Sequence, residues 1–476
     1  MSEERQSFCR ICSAACGIIV TVEGQQVVKV RGDADHPLSR GYTCSKGRAL
    51  PSWHHGPGRL DRPRLDGRDA GWGTVLDDLA VRLSSLRSDH GADVIGLYLA
   101  TGLAYDAAGQ AAAVRWLYGT GSTTFYSAAT VDNAPVLVAA ELVAGNSGLN
   151  PVWEPGSGGP LLVVGCNPVV SHGYGTTLPD PVRHLREHRR SGGRIWVVDP
   201  RRTETAALAD HHLPAHPGSD VELLAFLTRG LLAEGHDTHE LAERCRPDEI
   251  EALRTAVAPF DRERAVAATG LPGDELDGLL DELRRCDGRL AIFCGTGTTM
   301  ARDGVLVEWL RWALLVLTGS LDRPGGMRFN RSPASRLRPW TGDPVPAAGP
   351  ASRPELSRVA GQVPVVAMVD EIEAGNLRAL VVTGGNPLAA FPEPERVRAA
   401  LASLEVLAVL DVSEGELTSL ATHVLPVTGQ LERADVKLNE AVSLRVAPPT
   451  TRAVGRPQGR RLPEWRVGPP GVTPPR

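Results

Sequence analysis

From about residue 70 onward the chain alternates between two hydrophobic patterns. "TVLDDLAVRLSSLRSDHG", which ends at Gly91, and "AAGQAAAVRWLYGTG" space their apolar residues every three to four positions and predict helices. Between and after them stand short, almost uninterrupted apolar runs: "ADVIGLYLA", "PLLVVGCNP", "GGRIWVVDPRR", "GRLAIFCGTGT" and "LRALVVTGGNP". Each ends in Gly, Asn or Asp or runs into them. Runs of this kind alternating with helices predict an α/β class of fold, with open, doubly wound parallel sheets covered by helices on both faces. In such sheets ligands bind beyond the carboxyl ends of the strands, where these Gly/Asn/Asp clusters fall. The first sixty or so residues follow another pattern, because "IIVTVEGQQVVKVRG" alternates about Glu23-Gly24 and predicts a β-hairpin.

That hairpin is framed by cysteines. Cys9, Cys12 and Cys16 stand as C-x2-C-x3-C before it, and Cys44 follows in "GYTCSKGRAL". A short hairpin returns the chain to its start, so four thiolates meet, a donor set suited to zinc or to a [4Fe-4S] cube. Three ligands from one loop and one from afar favour the cube, since zinc ribbons usually present two C-x2-C knuckles. Cys166, Cys245, Cys286 and Cys294 are scattered singly and read as ordinary buried thiols. Eight cysteines in 476 residues are too few for a disulfide scaffold and point to a reducing compartment. "MSEERQSF" has no apolar core and no twin-arginine pair. No run of apolar residues is long enough to span a membrane, since "VLVEWLRWALLVLTG" is broken by Glu308 and Arg311. The expected location is therefore cytoplasmic. A formal charge of -5 with no Lys/Arg stripe argues against nucleic acid as a partner.

Two strand endings look like copies of each other. "VVGCNP" at 163–168 and "VVTGGNP" at 381–387 share strand, glycine turn and Asn-Pro, and a helical segment follows each. A glycine turn lets a backbone N–H approach phosphate closely, and Asn can donate to phosphate or ribose. The pair, with Asp199 closing "IWVVD", reads as two nucleotide sites from an internal duplication. "GTGTTM" at 295–300 lacks the third glycine of a dinucleotide fingerprint, which argues against NAD.

In chain order, C-x2-C-x3-C with its distant C-S-K-G, "VVGCNPVVSH", "WVVDPRRTETA", "LPAHPGSD", "LTGSLDRPGGM", "VVTGGNP" and "ATHVLPVTGQLER" resemble the molybdopterin oxidoreductases of the dimethyl sulfoxide reductase type, from about residue 7 to residue 447. The resemblance implies a small N-terminal iron-sulfur domain and two α/β domains. It also implies a bis(molybdopterin guanine dinucleotide) cofactor holding Mo or W, beside a [4Fe-4S] cluster. Position by position it makes Cys9, Cys12, Cys16 and Cys44 the cluster ligands and Lys46 the bridge from cluster to pterin. Asn167, His172, Asp199, Arg201 and Asp220 fall along one pterin dinucleotide, and Gly385 and Asn386 along the other. Counting back from Gly145, which closes "VDNAPVLVAAELVAG", the position of the family's metal ligand falls on Asp132. The competing reading of Asp132 is a helix cap for a helix beginning near Asn133; Ser127 and Asn133 are the other candidate ligands, and a metal with no protein ligand is the remaining alternative. No cysteine or selenocysteine lies nearby and no His follows directly, unlike formate dehydrogenases.

The expected domains are 1–60, completed by about 413–447, for the cluster; 61–127 with 322–412, and 128–321, for the two pterin dinucleotides; and a disordered tail at 448–476, rich in Pro, Gly and Arg. The insert at 331–356 reads as a long solvated loop. Family members usually continue into a further barrel-like domain, so a separate chain supplying that cap, or a truncated reading frame, is expected. The implied activity is two-electron redox at the metal, with oxygen-atom transfer favoured over formate oxidation. The implied partners are an electron-transfer protein and a small oxo-anion, oxide or formate-like substrate. The alternative is a non-catalytic iron-sulfur subunit like the large iron-sulfur subunit of respiratory complex I.

Overall fold

Three antiparallel strands open the chain: Ser2–Phe8, Gly17–Glu23 and Gln26–Gly32. The expected hairpin is the second pair, turned at Gly24, whose φ of +62° suits glycine. The strand before the cysteines adds to it, because Phe8 pairs with Gly17 and so makes residues 9–16 the loop of a second hairpin. Behind it lies a small core of Ala14, Ile18, Val20, Val22, Val27, Val30 and Leu50. The computed structural model describes residues 2–153, 155–172, 178–233, 239–329, 348–437, 450–457 and 459–467. They form two units, one from the described residues of Met1–Val131, Pro333–Ala441 and Val446–Arg476, the other from those of Asp132–Ser332.

The first unit also holds a seven-stranded sheet. Its order is Arg68–Asp69, Arg64–Leu65, His423–Pro426, Val406–Asp411, Ala379–Thr383, Ile95–Leu99 and Phe125–Ser127. The last five strands are parallel. Ile95–Leu99 and Ala379–Thr383 are buried at every position, so both faces must be covered. One face packs Val75, Leu79, Leu83 and Leu86 of helix Trp72–His90, which stops at Gly91 (φ +90°) as its pattern predicts. The other packs Met368, Val369 and Ile372 of helix Met368–Glu373 with Val397 and Leu401 of helix Pro394–Ser403.

The second unit is built on a four-stranded parallel sheet in the order His211–Leu213, Ile195–Val198, Leu161–Val164, Ala291–Cys294. Helices Asp220–Ala233, Gly273–Arg284 and Gly304–Leu317 contribute to the core around it. Burial of a single leucine such as Leu224 or Leu314 contributes about 2 kcal/mol.

The structure corrects the expected ending. Residues 450–457 and 459–467 are folded onto the first unit. Thr450–Thr451 pairs with Asp435–Val436, Val454 is buried in the N-terminal core, Leu462 bridges Val427, and Glu464–Arg466 forms a 3-10 turn ahead of buried Val467. The segment lacks an apolar period because it is anchored by single side chains and ion pairs, which composition does not register. Strand His423–Pro426 belongs to the seven-stranded sheet and not to the cluster domain, whereas Leu431 does reach the N-terminal core. Most of the insert, residues 330–347, lies outside the described residues.

Candidate functional site

The cysteine loop is closed by a hydrogen bond from the Cys9 amide to the Cys16 carbonyl, 2.8 Å. Cys9 and Cys16 are buried, Cys12 and Cys44 half-buried. All four thiols feel one another electrostatically, and burial pushes Cys9 up to about 12 and Cys16 well above the ordinary thiol range. Thiols so placed are inert as acids until a metal removes their protons. Cys44 ends the loop ahead of the short helix Ser45–Arg48. Gly47 of that helix packs against Thr43, and a Cβ there would collide with the Thr43 hydroxyl, which explains the glycine in C-S-K-G. Among the described residues, no three His, Cys, Asp or Glu side chains form a group that could hold a single metal ion. The donor set fits a larger sulfur-bridged cluster.

Beside this loop, in the same unit, a cavity of about 570 Å³ opens at the carboxyl ends of the parallel strands. It lies at the switch point of the sheet, where Ile95–Leu99 continues to Phe125–Ser127 on one side and Ala379–Thr383 continues to Val406–Asp411 on the other. Gly384, Gly385 and Asn386 form one wall, and Arg10, Ile11 and Lys46 of the cysteine domain form another. The glycines are required by close approach. Gly384 has φ +73°, a Cβ on Gly102 would press against the Gly384 carbonyl, and one on Gly385 would collide with Ala100. Asn386 caps the turn Pro387–Ala390 by accepting from the Leu388 amide at 3.0 Å. Lys46 is exposed toward solvent at the rim.

The second unit repeats this layout. Asn167 occupies the N-cap of Pro168–Ser171 just as Asn386 does in its copy, and the sheet again switches direction beside it, between Leu161–Val164 and Ala291–Cys294. Here the amide of Asn167 donates to Glu204 at 2.7 Å and accepts from the Thr205 hydroxyl at 2.7 Å. His172 is buried with φ +62°, at the end of the short helix. Asp199 accepts from the Arg201 amide at 2.9 Å, and Arg201 is exposed, 3.6 Å from Glu204. Asp220 begins helix Asp220–Ala233, and burial raises its carboxyl above the usual range. Gly165 is packed against Gly297 and Thr298, so the glycines of "GTGTTM" serve loop packing.

Asp132 is the last residue of helix Ala129–Asp132, half-buried, and burial raises its pKa. It is not the cap of the following helix. That position belongs to Asn133, which makes no side-chain capping bond, while Gly145 closes the helix in the left-handed conformation with φ +68°. Ser127 is already occupied by the side chain of Gln362.

Sequence reasoning missed several residues of the cavity wall. Asp411 is the counterpart of Asp199 in the duplicated unit, and the ending of "VLAVLD" beside "IWVVD" was the available signal. Its carboxyl accepts from Val412 and is raised by burial. Arg10, Gln430, Arg433 and Glu464 also line the cavity, and no local pattern distinguishes them from surface residues.

A cysteine loop facing a switch-point cavity, with a second, duplicated strand ending elsewhere in the chain, agrees with the family comparisons. The profile of the molybdopterin oxidoreductase Fe4S4 domain matches residues 2–54, and that of molybdopterin oxidoreductase matches residues 59–467. The chain belongs to the molybdopterin oxidoreductase family, and its cofactor class is a 4Fe-4S cluster with molybdopterin. It is 25% identical over 450 residues to a probable oxidoreductase, YyaE, of Bacillus subtilis, covering 92% of this chain and 64% of that protein. It is 24% identical over 480 residues to the alpha subunit of F420-dependent formate dehydrogenase 2 of Methanococcus maripaludis, covering 97% and 68%. The chain thus spans about two thirds of the length of these relatives. Acetylene hydratase from Pelobacter acetylenicus shares the fold, with a TM-score of 0.81 at 17% identity over 98% of this chain and 68% of that one. No helix among the described residues is long and apolar enough to cross a membrane.

Proposed function

We propose that this chain is a cytoplasmic molybdopterin-dependent oxidoreductase favouring oxygen-atom transfer to or from a small oxo-anion or oxide. When bound, bis(molybdopterin guanine dinucleotide) supplies two-electron redox chemistry at Mo or W, and a [4Fe-4S] cluster exchanges single electrons with a partner protein. The observation that supports this best is the juxtaposition of the cysteine loop and the glycine-walled cavity within one unit. Cys9, Cys12, Cys16 and Cys44 hold the cluster, and Lys46 carries a positive charge at the rim between cluster and pterin. Gly385 and Asn386 hold one guanosine end through backbone approach and an amide donor. Asn167, His172, Asp199, Arg201 and Asp220 hold the other, with the short helix after Asn167 and the strand end at Asp199 fixing its place. The test is elemental analysis of the full chain purified without oxygen from a host that makes the cofactor. About four iron atoms and stoichiometric Mo or W are expected; zinc without iron, or iron without either heavier metal, overturns the reading.

The preference for oxygen-atom transfer rests on Asp132. A carboxylate is a hard oxygen donor suited to a high-valent metal. Asp132→Ala is expected to lower turnover per molybdenum at least about 100-fold with iron content unchanged, because only the second metal loses a donor. A merely structural role predicts a stability change within about 1 kcal/mol and preserved turnover. Formate oxidation is the second reading, favoured by the similarity to the Methanococcus maripaludis enzyme. Preserved turnover in Asp132→Ala, with formate as the better donor, would decide for it.

A further inference from the structure

One cation in the cavity wall lacks the partners that buried cations require. The side chain of Arg10 is 1% exposed, and among the described residues its Nε and both terminal nitrogens make no hydrogen bond. Its nearest carboxylate, Asp435, is 3.7 Å away and already engaged. Asp435 accepts from the Val436 amide at 2.8 Å and lies 3.4 Å from Arg433, which also pairs with Asp106 at 3.0 Å. The two aspartates therefore serve Arg433 first. Arg10 is nonetheless held firmly: its amide donates to the Gln430 side chain at 2.8 Å, and its guanidinium lies over the Phe8 ring at 5.0 Å. A buried guanidinium with unmet donors costs several kcal/mol unless something supplies acceptors.

The charge of the cavity says what would supply them. Its wall carries the cations Arg10, Lys46 and Arg433 against the carboxyl groups Asp411 and Glu464. Glu464 is half-buried, and desolvation together with the nearby Asp106 raises it to about 8, so it keeps its proton at neutral pH. Arg433 is neutralised by Asp106 and Asp435, which leaves Arg10 and Lys46 as the cations of the wall to face an anion. A guanidinium fork matches phosphate oxygens two at a time.

We propose that Arg10 is a positioning residue that donates hydrogen bonds to the diphosphate of the dinucleotide bound in this cavity, tying that ligand to the cysteine loop. The inference rests on the pterin reading above and adds to it a residue and the group it grips. Two variants of the full chain test it, Arg10→Met and Arg10→Lys, each against wild type. In protein purified without oxygen, iron per chain should be unchanged while the Mo-to-Fe ratio falls about tenfold or more in Arg10→Met and less in Arg10→Lys, which keeps a point charge without the fork. Inorganic pyrophosphate, titrated by calorimetry into protein stripped of molybdenum, should bind wild type at least about tenfold more tightly than Arg10→Met. Pyrophosphate binding that is absent from wild type or equal in all three proteins overturns the assignment of Arg10. If Arg10→Met loses iron as well, Arg10→Lys decides: full iron with weakened pyrophosphate binding supports the inference, and wild-type binding overturns it. A wild-type chain that holds no Mo or W yet binds pyrophosphate through Arg10 would instead refute the pterin reading alone.

Discussion

Cys12→Ser is expected to strip the chain of essentially all its iron and to loosen residues 2–54 while leaving the second unit intact. The N-terminal domain is three strands over a core of small and β-branched residues, with Leu50, Leu431 and Val454 closing its edge. A core this size leaves little net stability after the cost of ordering the chain, so such domains lean on a metal centre. Cys12 lies midway along the loop whose ends are pinned by the Cys9 to Cys16 hydrogen bond, and serine offers a hard, poorly acidic oxygen in place of a soft thiolate. Iron should fall from about four atoms to fewer than one per chain. Amide exchange in strands Gly17–Glu23 and Gln26–Gly32 should accelerate by orders of magnitude, with protection of Leu161–Val164 unchanged. Full iron content in the variant would refute the ligand assignment, and lost iron with unchanged exchange would show that the domain folds without its cluster.

The features legible in the sequence are those encoded over short range. Helix Trp72–His90 and its stop at Gly91, the buried strands at Ile95–Leu99 and Ala379–Thr383, and the turn at Gly24 are each written in a few adjacent residues. The duplication was visible for the same reason, since strand, glycine turn and Asn-Pro are contiguous in both copies, and the structure extends it to the N-cap positions of Asn167 and Asn386. What stayed hidden depends on pairs far apart in the chain. Arg10 between two cysteines reads as a solvated base, and only the return of residues 430–435 shows that it is enclosed. Asp132 before Asn133 reads as a helix cap, but the preceding residues close a helical turn of their own and pass that position to Asn133. The ending misled most. "RPQGRRLPEW" has the composition of a solvated tail, yet Arg461 and, just beyond it, Val467 are buried.

The strongest of those long-range pairs predicts that Glu432→Ala will destabilise the first unit by about 3–5 kcal/mol. The Glu432 side chain is fully buried between two guanidinium groups, with Arg461 at 2.6 Å on one oxygen and Arg59 at 3.2 Å on the other, and it also accepts from the Gly429 amide at 2.7 Å. Arg461 is enclosed in turn, donating to the Leu60 carbonyl and pairing with Asp61. Removing the carboxylate leaves two buried cations facing each other without their shared counter-ion, and the repulsion adds to the lost hydrogen bonds. Because Arg461 carries residues 459–467 onto the sheet, that segment should detach first. Limited proteolysis should cut it in Glu432→Ala before the rest of the unit unfolds, and a denaturant titration should show a lower midpoint with wild-type slope for the remainder. Glu432→Gln keeps the shape and one acceptor, so it should be less damaging, though still destabilised, because the charge that balances Arg59 and Arg461 is gone. An unchanged midpoint and an uncut segment in Glu432→Ala would mean that Leu462 and Val467, through their apolar contacts, hold residues 459–467 in place without the ion pair.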